Sequence, residues 1–179
     1  MILIIAEKPS LVRNIVSAIG DMKKSGGFYV GKGYIVTWAF GHLFSLADIE
    51  EYSPNPDGKW TMKNLPCFPE KFIFNLKKGK DKLVDPGVKN QFETIKTLCE
   101  REDVDTVVNA GDSDREGEII IRICVANADI TGKAFKRLWL PDQTDQTIRR
   151  ALSEIRRKLN TRILRMKALH VHILIGCTV

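Results

Sequence analysis

Three carboxylates, Asp112, Asp114 and Glu116, stand at steps of two in the stretch VVNAGDSDREGEIIIRIC, directly after an apolar run. Unpaired acids this close repel one another and lose hydration if they are even partly buried, so the pattern calls for a positive partner. Oxygen ligands from one or two carboxylates, completed by water and phosphate, suit Mg²⁺, and a dication among the acids would account for the tolerated repulsion. The alternative is helix N-capping, where a carboxylate is worth about 0.3–1 kcal/mol against the helix dipole. One acid would satisfy that need. Three in five residues, with Arg115 and Gly117 interleaved, exceed it.

The elements that must position these acids can be read from periodicity. ILIIA, at residues 2–6, is a continuous apolar run of strand length, suited to burial on both faces, and it delivers Glu7 and Lys8 at its end. SLVRNIVSAIG follows with Leu11, Ile15, Val16 and Ile19 at helical spacing, Ser10 as the expected cap and Gly20 as the stop. FYVGKGYIVTWAFGHL reads as two strands turning at Gly31 and Gly33. Residues 52–86, rich in Pro, Gly, Lys and Asn, form an expected irregular excursion with at most one short strand, FIFNL.

Helical spacing resumes through Val88, Phe92, Ile95 and Leu98. DTVVNA is then a strand, GEIIIRICVANA a helix, and AFKRLWL a strand stopped by Pro141. TDQTIRRALSEIRRKL closes the readable pattern, with Thr144 as cap, Ile148, Leu152 and Ile155 on one face, and arginines opposite. Strand–helix alternation of this kind predicts an α/β fold, a mainly parallel sheet with helices on both faces. In such sheets ligands sit beyond the carboxyl ends of the strands. There Asp112 and Asp114, if extended, point the same way, and Glu116 enters the next helix.

The composition narrows the setting. The chain has 179 residues and a net charge of +6, but residues 133–167 hold eleven Lys and Arg against three acids, a local +8 that leaves the remainder at −2. A basic segment beside an acidic pocket fits a polyanion held near a divalent cation, or else the solvated face of an amphipathic helix. Cys67, Cys99, Cys124 and Cys177 have no close pair, which argues against a zinc site or a disulfide framework. No apolar stretch approaches the roughly 20 residues of a membrane span. No basic flank precedes the first apolar run, so a secretory signal is not expected and the cytoplasm is the default location.

DSDREGE matches the DxDxE segment of the Toprim domain, and DREGE together with IIAEKPSLVRNIVSAIG closely resembles type IA DNA topoisomerases. GHLFSL, LPCFPEKF, QFETIKTL and FKRLWLPDQTDQTIRRAL resemble successive blocks of the topoisomerase III group in their usual order, so the likeness covers about residues 1–155. The resemblance implies a Toprim, Rossmann-like domain over residues 1–141 and the start of a helical DNA-binding domain over 142–179. It also implies an ATP-independent, Mg²⁺-dependent transesterification on single-stranded DNA, in which a tyrosine cleaves a strand and religation follows its passage. Asp112, Asp114 and Glu116 would hold the Mg²⁺ directly or through water. Glu7 would donate or relay a proton at the scissile phosphate, Lys8 would stabilise its developing charge and Arg115 would position strand or phosphate. Those roles agree with the chemistry, since a carboxyl among carboxylates retains a proton more readily and an ammonium serves phosphate as a point charge.

His42, in FGHL, matches a recurrent family histidine and is either a DNA contact or a satisfied, partly buried side chain. His170 and His172 sit in an apolar run and are not expected to ligate. Tyr29, Tyr34 and Tyr52 all precede the acidic segment, whereas the family's nucleophile lies far downstream, so this chain is expected to be a fragment that does not cleave DNA alone. Rival readings are another Toprim enzyme such as a primase or nuclease, a receiver-like Mg²⁺ module, and a non-catalytic DNA-binding domain. The receiver reading calls for an acidic pair after the first strand, where this chain has Glu-Lys.

Overall fold

A computed structural model describes residues 1–52, 68–79, 81, 83–128, 130 and 132–159. Expectations that fall on Cys67, His170, His172, Cys177 and the tail after residue 159 lie outside these residues. The central sheet has six strands in the order β2-β3-β4-β1-β7-β8: β1 (Ile2–Ala6), β2 (Lys23–Ser25), β3 (Phe28–Gly31), β4 (Tyr34–Trp38), β7 (Thr106–Ala110) and β8 (Ala134–Arg137). β4, β1, β7 and β8 run parallel, while β2 and β3 add an antiparallel edge. The α/β architecture with a mostly parallel sheet is as the alternating pattern predicts.

β1 lies at the centre of the parallel part, paired with β4 on one side and β7 on the other, and all five of its residues are buried. Its side chains alternate between two cores, as a period of two requires. Leu3 and Ile5 join Phe92, Ile95, Ile121 and Cys124 from α2 (Pro86–Glu100) and α3 (Arg115–Asn127). Ile2, Ile4 and Ala6 face Leu11, Val12 and Ile15 of α1 (Pro9–Ile19) and Ile148, Leu152 and Ile155 of α4 (Asp145–Leu159). The boundary expected at residue 141 falls between β8 and α4, whose apolar face is buried in the same core as β1. Cys99 and Cys124 are buried thiols, and burial pushes Cys99 up to about 12.

Helix starts and turns show where local chemistry decides. α1 begins with Pro9 at its first turn and extended Lys8 as its N-cap, so Ser10 sits inside the helix rather than capping it as expected. Gly20 ends α1 as anticipated, its N–H donating to the Val16 carbonyl. The turn between β3 and β4 falls on Lys32 and Gly33, both at positive φ, the geometry of a tight two-residue hairpin. Thr144 Oγ1 accepts from Thr147 N–H at the start of α4, as its spacing predicts. FIFNL contributes β6 (Phe74–Leu76), which pairs with β5 (Phe44–Leu46) in a small second sheet that periodicity alone does not reveal. Three-residue strands such as β2 and β5 are too short to show a period.

Candidate functional site

At the carboxyl ends of β1 and β7 the chain gathers Glu7, Lys8 and Asp112. Glu7 is buried, with 6% of its surface exposed, and its Oε2 accepts the backbone N–H of Asp112 at 3.2 Å. The Lys8 ammonium lies between two acids, 3.1 Å from Glu7 Oε1 and 2.7 Å from Asp112 Oδ2. Its hydrogen bond to Asp112, then its hydrogen bond to and attraction from Glu7, hold Lys8 well above the ordinary lysine range. The ammonium is therefore a fixed charge at neutral pH, available to an anion but not as a proton acceptor.

The acidic loop differs from the extended run expected of it. β7 ends at Ala110, and Asp114 is the N-cap of α3, its Oδ1 accepting the Gly117 N–H at 2.6 Å. Capping is thus part of what this acid does. The turn is tight enough that a Cβ on Gly111 would lie 2.0 Å from the Gly117 carbonyl oxygen, and one on Gly117 2.4 Å from Asp112 N and 2.8 Å from Glu7 Oε2. Backbone approach this close admits only glycine at both positions.

Glu116, one residue into α3, is mostly exposed and meets His42, Nε2 to Oε1 at 2.8 Å. The loop carrying His42 is docked on the end of β1 by Ala39 N–H to the Ala6 carbonyl and Gly41 N–H to the Glu7 carbonyl. Arg115 is exposed at the first turn of α3 and has no hydrogen bond or ion pair among the described residues. Among those residues no three His, Cys, Asp or Glu side chains are gathered as ligands of one metal ion. Each acid has its own partner: Lys8 sits on Asp112, His42 on Glu116, and the Gly117 N–H on Asp114. The donor set nonetheless suits a hard cation: one carboxylate oxygen each of Asp112, Asp114 and Glu116 has no hydrogen bond among the described residues.

Residues 2–155 match the Toprim domain family. This chain belongs to that family. The Toprim domain is similar to DNA topoisomerase 3 of Bacillus subtilis (strain 168), 37% identical over 155 residues that cover 86% of this chain and 20% of the relative. It is likewise similar to DNA topoisomerase 3 of Bacillus licheniformis, 38% identical over 148 residues, covering 82% of this chain and 19% of the relative. Among solved structures, full-length topoisomerase I from Thermotoga maritima shares its fold at a TM-score of 0.51 and 21% identity, over 90% of this chain and 23% of that one. The chain spans about a fifth of the length of the relatives it matches. No helix among the described residues is long and apolar enough to cross a membrane.

Three residues that sequence reasoning passed over hold the acidic loop of this Toprim domain. Arg137, at the end of β8, donates Nη1–H to the Asn109 carbonyl, Asn109 Oδ1 and the Gly111 carbonyl at 3.2, 2.9 and 3.0 Å, and Nη2–H to the Asp112 carbonyl at 2.6 Å. Burial lowers its affinity for a proton, partly offset by Glu118 and Asp114. Asn109 is fully buried; its Oδ1 also accepts Gly111 N–H, and its amide donates to the Glu118 carbonyl. Ser113 Oγ donates to the Leu140 carbonyl at 2.6 Å. The only sequence signal was an arginine inside the last predicted strand, AFKRLWL, and its partners become visible only once β8 pairs with β7. A cleft of about 210 Å³ opens between this loop and residues 140–143, with Leu11 in its wall. The three tyrosines are committed elsewhere: Tyr29 packs on Trp38, Tyr34 lies under the Arg156 guanidinium, and the Tyr52 hydroxyl bonds the backbone of Ile73.

Proposed function

We propose that this Toprim domain is the phosphate-handling part of a type IA DNA topoisomerase, which cleaves, passes and religates single-stranded DNA without ATP and with Mg²⁺. The observation that carries the reading is the meeting of Glu7, Lys8 and Asp112 at the ends of two adjacent parallel strands, beside the capped start of α3. Toprim domains are generally metal-binding, and Asp112, Asp114 and Glu116 are the residues that would hold Mg²⁺, directly or through water. When bound, the ion supplies positive charge to phosphate oxygens.

The chain's own residues then divide the work. Lys8, permanently charged, neutralises negative charge growing on a phosphate. Glu7, buried against Asp112, holds or relays a proton to the leaving oxygen. Arg115, exposed and uncommitted to any partner among the described residues, would position a strand or its phosphate. The nucleophilic tyrosine comes from another part of the enzyme. Residues 142–179, which include the basic face of α4, would begin the DNA-binding region, in a protein of the cytoplasm.

The test is Mg²⁺ binding to the chain by isothermal titration calorimetry. Weak binding is expected in the wild type and none in Asp112→Asn with Asp114→Asn. Because Asp114 also caps α3, circular dichroism of the variant is measured alongside, and Asn preserves much of the capping. Mg²⁺ binding unchanged in the folded double variant would reject the site.

A further inference from the structure

We propose that Trp139 is a stacking platform for a nucleobase of a single strand laid across the acidic loop, with Arg137 backing the indole. The inference rests on the nucleic-acid reading above and adds a base-binding residue to it. After β8 the chain continues extended, and its exposure alternates: Leu138 is 1% exposed, Trp139 55% and Leu140 7%. Leu138 and Leu140 enter the core beneath α1 and α4, which leaves the indole turned out of that core.

The neighbours of this half-exposed tryptophan say where a cover would lie. Arg137 donates to the Asp112 carbonyl, and the Leu140 carbonyl accepts from Ser113, so the residues on both sides of Trp139 are bonded to the acidic loop. Arg137 thus connects the indole to the backbone of the acidic loop, touching the ring and donating to the Asp112 carbonyl. The Arg137 guanidinium sits 5.6 Å from the ring centroid, a cation–π contact, and the half-exposed indole keeps surface for a second planar partner. A base is the partner whose chemistry fits: planar, attached to a phosphate chain that Lys8 and the basic residues attract, and accepted whatever its sequence because every base has a π-face. An aliphatic side chain of a protein partner would gain no comparable benefit from an indole with a guanidinium beside it.

The experiment titrates the 179-residue chain with fluorescein-labelled oligothymidylate and with an abasic phosphodiester strand of the same length, reading anisotropy and intrinsic tryptophan fluorescence. Trp139→Leu is expected to weaken oligothymidylate binding by about 5- to 150-fold, the range for losing one base–aromatic stack, and to leave the abasic strand's affinity unchanged. Trp139→Phe should keep most of the affinity while removing the share of the oligothymidylate-induced quenching that Trp139 contributes beside Trp38 and Trp60. Equal losses for both strands, or no loss for either, would overturn the platform while leaving the nucleic-acid reading intact. Failure of the wild type to bind either strand would remove both. Should Trp139→Leu not fold, the quenching comparison between wild type and Trp139→Phe decides the matter, since quenching undiminished in the variant excludes Trp139 as the stacked residue, Trp38 and Trp60 being unchanged.

Discussion

At the scale of single residues, the site is a problem in charge compensation. Glu7 is buried and Asp112 is its neighbour, yet both are accommodated because one ammonium touches each. Lys8→Met removes that charge and retains the apolar stem, so the two carboxylates face each other with only backbone and solvent to separate them. The loss in stability should be about 1 kcal/mol, near the upper end for exposed ion pairs, because Lys8 is itself half exposed. Mg²⁺ should recover more of that loss than it adds to the wild type, since a cation bound only by the folded state stabilises it by mass action. Thermal melts with and without Mg²⁺ check this, and equal Mg²⁺-induced shifts would show that Lys8 and the metal do not share a field. The sequence made the types of these groups legible, for crowded acids need a cation wherever they lie. It did not make the Lys8–Asp112 pair legible, because the two are 104 positions apart and meet only across the β1–β7 pairing.

At the scale of elements, the loop from Gly111 to Asp114 is held by its neighbours more than by its own sequence. Arg137 of β8 engages its carbonyls, Asn109 of β7 engages its amide, and Gly117 of α3 lies against it without a side chain between. Gly117→Ala is expected to cost about 1–3 kcal/mol, the scale of overpacked sites, because the added methyl meets backbone nitrogen rather than a side chain able to swing away. Gly111→Ala should be at least as damaging. Chemical denaturation measures both, and a loss under about 0.5 kcal/mol, typical of surface changes, would mean that the loop is not packed as described. The long apolar segments were readable because their periods are explicit: ILIIA fills both cores by alternation, and Phe92, Ile95 and Leu98 recur along one face of α2. Lys8 as a cap and Asp114 as a cap were not, because capping depends on where the previous strand stops. β7 stops at Ala110, two residues before the first of the three acids.

At the scale of the whole molecule, the uneven charge predicts how binding should depend on salt. The body carrying the acidic site is slightly negative over its sequence, and the positive excess lies after residue 132. α4 shows how the fold uses that excess: Ile148, Leu152 and Ile155 are buried toward α1, and Arg149 and Arg150 are exposed. The charge of Arg150 reaches Asp142, whose carboxylate it helps hold below the usual range, after the larger effect of hydrogen bonds from Thr144 and Thr147. Asp142 also lines the cleft beside the acidic loop, so this end of α4 borders the ground a strand would cross. If Arg149 and Arg150 each neutralise one phosphate, their replacement by Gln should weaken binding of oligothymidylate and reduce the slope of log affinity against log salt by about 1.4, at roughly 0.7 per phosphate on a single strand. Anisotropy titrations across a salt series give that slope directly. A slope identical to that of the wild type would assign these arginines to the solvated face of an amphipathic helix, and the strand's path would then have to leave the acidic loop by way of Trp139 without touching α4.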